Sequence, residues 1–224
     1  MFYRFQKAFD TIWRAGLWQK LINSNIHGNV FKIIFSFYDN IKSCVKSGHT
    51  FSDFFTCNIG VRQGEHLYPF LFSIYLNDLE EFLTEHCKTG LDTLNSLSFE
   101  NLNVYMKLFL LLYADDTVIF AESQQELQQI LKLFEHYCNI WKLKVNISKT
   151  KIVVFSKKKS NQNFSYEMFG EKISQQDDYN YLGLLFNYNG NFYKTRKNWL
   201  TKPKKQFIHY ISKYVILIFQ LIYN

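Results

Sequence analysis

Apolar positions along this chain recur with two periods, and the switch between them marks its elements. Trp13, Leu17 and Leu21 fall on one helical face, and Asp10 is placed to cap that helix, which runs to about Asn23. Val30 to Tyr38 repeats the pattern, with Phe31, Ile34, Phe35 and Tyr38 in register. Phe51 to Asn58 reads as extended. A glycine-bounded loop, Gly60-Val61-Arg62-Gln63-Gly64, precedes a helix from about Pro69 to Leu83, where proline suits the first turn. Residues 88–106 are polar and irregular, as a loop or insertion would be.

Two short β-compatible runs follow, Lys107 to Tyr113 and Thr117 to Ala121, with Ala114-Asp115-Asp116 as the expected hairpin tip. Ser123 and Glu126 have capping-box spacing ahead of a helix whose apolar face is Leu127, Ile130, Leu131, Phe134, Cys138 and Trp141. The period then turns to strands: Lys151 to Phe155, Phe164 to Phe169 and Tyr179 to Phe186, with a turn at Gly170-Glu171. Helices on an antiparallel or mixed sheet make this an α+β chain rather than an alternating βαβ one.

Composition narrows the class. The 224 residues are 47% hydrophobic and 19% aromatic, far too rich in core-forming side chains for a disordered chain. Charge is unevenly placed. Residues 1–141 carry 11 basic and 15 acidic side chains, whereas 142–224 carry 15 and 4, a net +11. The basic part holds Lys157, Lys158, Lys159, Lys194, Arg196, Lys197, Lys202, Lys204 and Lys205, suited to a polyanion or simply to water. The four cysteines, Cys44, Cys57, Cys87 and Cys138, lack metal-ligand or disulfide-framework spacing, so reduced thiols in a cytoplasmic or nuclear protein are expected. The sequence lacks a secretory-signal pattern at Met1, and its late apolar run, Tyr214 to Phe219, falls well short of the ~20 residues that span a bilayer.

Adjacent aspartates between apolar strands carry the chemistry. Like charges side by side in apolar surroundings resist ionisation unless cations neutralise them. Two Mg²⁺ ions ~4 Å apart could then activate a hydroxyl and stabilise a leaving oxygen in phosphoryl transfer. On the dipeptide alone a plain polar turn is the better explanation. Its setting is more specific. Phe5-Gln6-Lys7-Ala8-Phe9-Asp10 and the glycine loop precede Tyr113-Ala114-Asp115-Asp116, and Asn146-Ile147-Ser148-Lys149-Thr150-Lys151 and Tyr181-Leu182-Gly183 follow. This ordered series resembles the palm of reverse transcriptases, particularly those of non-LTR (LINE-type) retrotransposons, from Phe5 to about Asn191.

The resemblance implies roles. Asp115 and Asp116 would be the catalytic, metal-binding carboxylates for Mg²⁺ or Mn²⁺, two ions in an intact member. Phe9 would lie beneath the incoming sugar and select deoxynucleotides, which disfavours an RNA-templated RNA polymerase. Arg62, Gln63 and Gly64 would meet template and nucleotide, Gly60 and Gly64 allowing close backbone approach. Lys149 or Lys151 would face the pyrophosphate, and Tyr181, Leu182 and Gly183 would form the primer grip. Partners would be an RNA template, a DNA primer and deoxynucleoside triphosphates, with neither membrane nor disulfides. Read for themselves, Phe9 is better explained as a core aromatic and the glycine loop as a turn, and the lysines are equally well solvated ones.

Three departures qualify the expected activity. The family has an aspartate five residues before Phe9, completing the metal site from a neighbouring strand, and here that position is Arg4. A guanidinium cannot ligate a cation. Tyr68 replaces a small serine before proline. Finally, the match begins abruptly at Phe5, as though residues 1–4 were a decayed element or followed a misassigned start. The expected organisation is a palm over 1–191, with fingers missing, and the start of a basic, helical, incomplete thumb over 192–224. The implied function is an RNA-directed DNA polymerase fragment with little or no activity, or else a non-catalytic nucleic-acid-binding remnant of a retroelement.

Overall fold

The computed structural model describes residues 1–62, 64, 66–86, 91–92, 107–108, 110–113, 116–156, 164–181 and 184–189. In chain order the elements are β1 (Phe2–Arg4), α1 (Arg14–Asn23), α2 (Gly28–Tyr38), β2 (Lys42–Ser43), β3 (Lys46–Ser47), β4 (Thr50–Phe51) and β5 (Phe55–Thr56). There follow α3 (Tyr68–Leu76), α4 (Leu79–His86), β6 (Leu91–Asp92), β7 (Lys107–Leu108), β8 (Leu110–Tyr113), β9 (Asp116–Ile119) and α5 (Gln124–Ile140). A 3₁₀ turn at Ile147–Lys149 leads into β10 (Lys151–Ile152), β11 (Tyr166–Met168), β12 (Glu171–Gln175), β13 (Asp178–Tyr181) and β14 (Leu184–Asn187). The chain forms two compact units, one of residues 1–4, 83–135 and 145–224, the other of 5–82 and 136–144.

The first unit is built on a six-stranded sheet in the order β11-β12-β10-β1-β9-β8. Only β10 and β12 run parallel, so the sheet is mixed. Residues 2–4, part of the stretch expected to be a decayed element or to follow a misassigned start, form an interior strand between β10 and β9. Alternation explains its stability. Phe2 stacks on Tyr179 at 4.5 Å between ring centres and lies near Tyr181 and Phe186 of the β13–β14 hairpin. Tyr3 meets Phe134 of α5, also at 4.5 Å. Phe2 and Tyr3 are thus clamped by aromatic contacts, one from the β13–β14 hairpin and the other from α5.

Helix α5 follows the sequence expectation. Leu127, Ile130, Leu131, Phe134 and Cys138 are all buried. The Glu126 amide donates to Ser123 Oγ at 3.2 Å, while the Glu126 carboxylate accepts from the Glu122 amide, one residue before the usual capping-box partner. At Tyr179–Phe186 one expected strand is instead a hairpin, with Tyr181 paired to Leu184.

In the second unit, Leu17 and Leu21 of α1 are fully buried, and Trp18 packs on Phe31, Phe35 and Tyr38 of α2. The helix expected from Asp10 begins at Arg14, with Trp13 as N-cap and no side-chain cap. The carbonyls of Phe9 and Ile12 are committed elsewhere, accepting the amides of Val61 and Gly60 at 2.8 and 2.9 Å. Asp10 therefore belongs to a turn, its amide donating to Lys7 O at 2.9 Å. The expected helix over Pro69–Leu83 is two helices broken at Asn77-Asp78. There Asp78 bonds to Lys20, whose side chain is 3% exposed, and accepts from the Tyr137 hydroxyl at 2.7 Å. The irregular stretch within 88–106, apart from β6, and the thumb expected over 192–224 lie outside the described residues.

Candidate active site

The sheet of the first unit assembles one group of expected site residues. Strand β9 begins at Asp116, which pairs with Tyr113 of β8 on one side and with Arg4 of β1 on the other. The β8–β9 connection is Ala114-Asp115, outside the described residues. Arg4, the position at which the resemblance implies a metal-binding aspartate, is therefore the register partner of Asp116. The fit of a divalent-ion site can be judged from this donor set. A guanidinium offers no lone pair to a metal and opposes a cation electrostatically. Among the described residues no group of three His, Cys, Asp or Glu side chains is placed to hold a metal ion. Arg4 can itself contribute no ligand to such a site.

The string from Asn146 to Lys151 has a local cause. The Asn146 amide donates to Arg4 O at 2.8 Å, and its side chain accepts the Lys149 amide at 3.2 Å, capping the 3₁₀ turn. The buried Thr150 folds back through its hydroxyl onto Asn146 O at 2.9 Å. Lys149 is exposed, whereas Lys151 is half-buried in β10, opposite Phe2, with its ammonium donating to Ser174 Oγ at 2.7 Å. Tyr181 is buried against Phe2, and Leu182 and Gly183 lie outside the described residues.

The second unit holds the other group. Phe9 is half-buried, with its ring 4.8 Å from Tyr68 (edge-on) and 4.8 Å from Phe72. The tyrosine that replaces the usual serine thus covers the expected sugar-facing ring. Gly60 is pressed against its own chain. A Cβ there would sit 2.5 Å from Asp10 O, at a φ of +79°, so the close approach of Asp10 already requires glycine. Gly64, at φ +89°, has nothing within 4 Å of the equivalent position. Arg62 is exposed, and Gln63 lies outside the described residues.

Sequence reasoning missed Arg14. Its guanidinium donates to the carbonyls of Tyr38, Cys57, Ile59 and Gly60 at 2.7–3.2 Å. Burial pushes its pKa down, Cys57 and Tyr38 oppose that shift, and the nearby Arg62 adds to it. The only sequence signal was an arginine in a chain with few of them, within the first expected helix.

A family model described as reverse transcriptase (RNA-dependent DNA polymerase) matches residues 2–186. The chain belongs to the reverse transcriptase family. The match includes β1, so the family resemblance extends upstream of Phe5 to residue 2. The RNA-directed DNA polymerase from mobile element jockey of Drosophila funebris is 25% identical over 224 residues, covering 92% of this chain and 23% of that protein. Probable RNA-directed DNA polymerases from transposon BS and transposon X-element of Drosophila melanogaster are 26% and 24% identical, covering 82% and 83% of this chain. The chain spans 19% of the length of each of these two. The non-LTR retrotransposon resemblance read from the motifs agrees with these reverse transcriptase relatives. No described helix is long and apolar enough to cross a membrane, and Cys44, Cys57 and Cys138 are free thiols.

Proposed function

We propose that this chain is the palm of an RNA-directed DNA polymerase that binds template, primer and deoxynucleotides but transfers nucleotides weakly or not at all. The observation that carries the reading is the register of Arg4 opposite Asp116. In the intact arrangement this is where a further carboxylate would help hold Mg²⁺ or Mn²⁺, whose chemistry is activation of the primer hydroxyl and stabilisation of the leaving pyrophosphate. Here the position carries a permanent positive charge. Asp115 and Asp116 retain the catalytic role in this reading. Phe9 selects the sugar, Arg62, Gln63 and Gly64 meet template and nucleotide, and Lys149 and Lys151 face the phosphates. Tyr181, Leu182 and Gly183 hold the primer end. Residues 1–191 make up the palm and 192–224 begin the thumb.

The same observation favours a second reading, a nucleic-acid-binding remnant in which Arg4 balances the acidic site without metal. Primer extension on an RNA template with Mg²⁺ or Mn²⁺ separates the two. The chain as it stands should extend little or nothing, and Arg4→Asp should restore extension. Robust extension by the unaltered chain would sink the claim of weak activity. Failure of Arg4→Asp to extend, with affinity for the template retained, would favour the remnant.

A further inference from the structure

The segment leading into the glycine loop has little regular structure of its own. Between β5 and α3 none of the described residues from Cys57 to Leu67 is in a helix or strand, so something outside the segment must fix its path. Two sets of bonds do so. From one side, the amides of Gly60 and Val61 donate to the carbonyls of Ile12 and Phe9 at 2.9 and 2.8 Å. From the other, Arg14 Nε donates to Gly60 O at 2.9 Å, Nη1 to Cys57 O at 2.7 Å and Tyr38 O at 3.2 Å, and Nη2 to Ile59 O at 3.2 Å. The fork thus gathers the end of α2 and three carbonyls of the loop. Only a planar guanidinium reaches four acceptors spread in this way, since an ammonium presents its donors from one point. The Arg14 charge also stands over the Tyr38 ring at 5.3 Å.

We propose that Arg14 is a positioning residue that fixes the Ile59–Val61 backbone against the Phe9 turn and so sets the distance between the sugar-facing ring and Arg62. The strap is a matter of geometry; its consequence for nucleotide choice rests on the polymerase reading above. Val61, buried at 4% exposure, is the one residue between the strapped Gly60 and the exposed Arg62. A shift of the strap is therefore passed to Arg62 with little slack. Phe9 is bound to the same strap through its own carbonyl, so both sides of the nucleotide-facing pair depend on one guanidinium.

The test has two arms, each on the full chain. In the first, hydrogen–deuterium exchange compares the unaltered chain with Arg14→Lys and Arg14→Met. Loss of charge-assisted bonds should speed exchange of the Gly60 and Val61 amides by about 10- to 100-fold while α3 and α5 keep their protection. Unchanged exchange at Gly60 and Val61 would overturn the strap. Loss of protection throughout α3 and α5 in both variants would overturn it too, by showing Arg14 to be a general stabiliser.

The second arm places Arg14→Lys on the Arg4→Asp background and measures extension with deoxy- and ribonucleotides. The expected result is a several-fold rise in KM for the deoxynucleotide and a narrowed preference over the ribonucleotide, with kcat changed less. An unaltered KM and preference would overturn the role in nucleotide choice. If Arg4→Asp extends nothing, the polymerase reading fails and exchange at Gly60 and Val61 decides the strap by itself.

Discussion

Gly60 answers to two constraints at once, a left-handed backbone and a carbonyl where its Cβ would stand. Gly64 shares only the first. Gly60→Ala should therefore cost about 3 kcal/mol and Gly64→Ala only about 1 kcal/mol, the difference being the backbone clash. Urea denaturation of the two variants checks this, and equal costs would show that the Asp10 contact yields freely. Lys20 and Asp78 make a second asymmetric pair. The Lys20 side chain is 3% exposed and its ammonium lies 3.6 Å from the centre of the Trp141 ring, whereas Asp78 is 38% exposed. Removing the carboxylate leaves a buried cation with the Tyr137 hydroxyl and the Trp141 ring beside it; removing the lysine leaves a carboxylate that water can reach. Asp78→Asn should cost about 3 kcal/mol and Lys20→Met about 1 kcal/mol. Burial lowers the Lys20 pKa below its ordinary 10.5, and Asp78 opposes the shift through its hydrogen bond and charge. The folded state thus releases this proton more readily than the unfolded state, and its contribution to stability improves as pH rises toward 10.5. Without Asp78 the pKa falls further, so the deficit of Asp78→Asn should shrink between neutral and alkaline pH. A deficit identical at pH 7 and pH 9, within about 0.3 kcal/mol, would contradict the assignment.

Elements whose cause is local were the ones legible in the sequence. Helix α5 is the clearest, because its cap and apolar stripe lie within one segment. Ser123→Ala removes the acceptor for the Glu126 amide and should lower stability by about 1 kcal/mol, seen as a lower thermal midpoint with the α5 core unchanged. Elements set by distant partners were misread. Asp10 looked like a helix cap, but the neighbouring carbonyls of Phe9 and Ile12 are taken by Val61 and Gly60, some fifty residues away in sequence. Pro69–Leu83 looked like one helix, but Asp78 is drawn to Lys20 and Tyr137 and breaks it. Strand β1 is too short to show a period, and its place inside the sheet depends on Phe134 and Tyr179. The candidate site divides in the same way. Asp116, Phe9, Arg62 and Gly64 were named from an ordered series of motifs, whereas Arg14 has no motif, because its four acceptors are backbone carbonyls that no side-chain pattern announces.

At the scale of the whole molecule, charge is unevenly divided along the chain. Fifteen basic and four acidic side chains in residues 142–224 stand against a first part with a net −4. If the basic part follows a phosphate backbone, binding releases counterions, and affinity must fall steeply with salt. For a single-stranded RNA contacting about six phosphates, log Kd against log salt should have a slope near 4, flattened by about 2 when Lys157, Lys158 and Lys159 are all changed to Gln. The acidic site makes a contrasting demand. In a metal-assembled complex, Asp116 would join nucleic acid to protein through a cation, and either Asp116→Ala or a chelator would weaken binding. The strand position in register with Asp116 is Arg4, and in the proposed reading the metal therefore contributes little. Affinity of the unaltered chain for RNA, measured by fluorescence anisotropy, should therefore be steep in salt yet the same with EDTA and with Asp116→Ala. Arg4→Asp should reverse the second property, making binding chelator-sensitive while the salt slope set by the basic part remains. If the unaltered chain already loses affinity on chelation, a cation is being held despite Arg4, and the charge balance at the centre of the sheet has been assigned to the wrong partner.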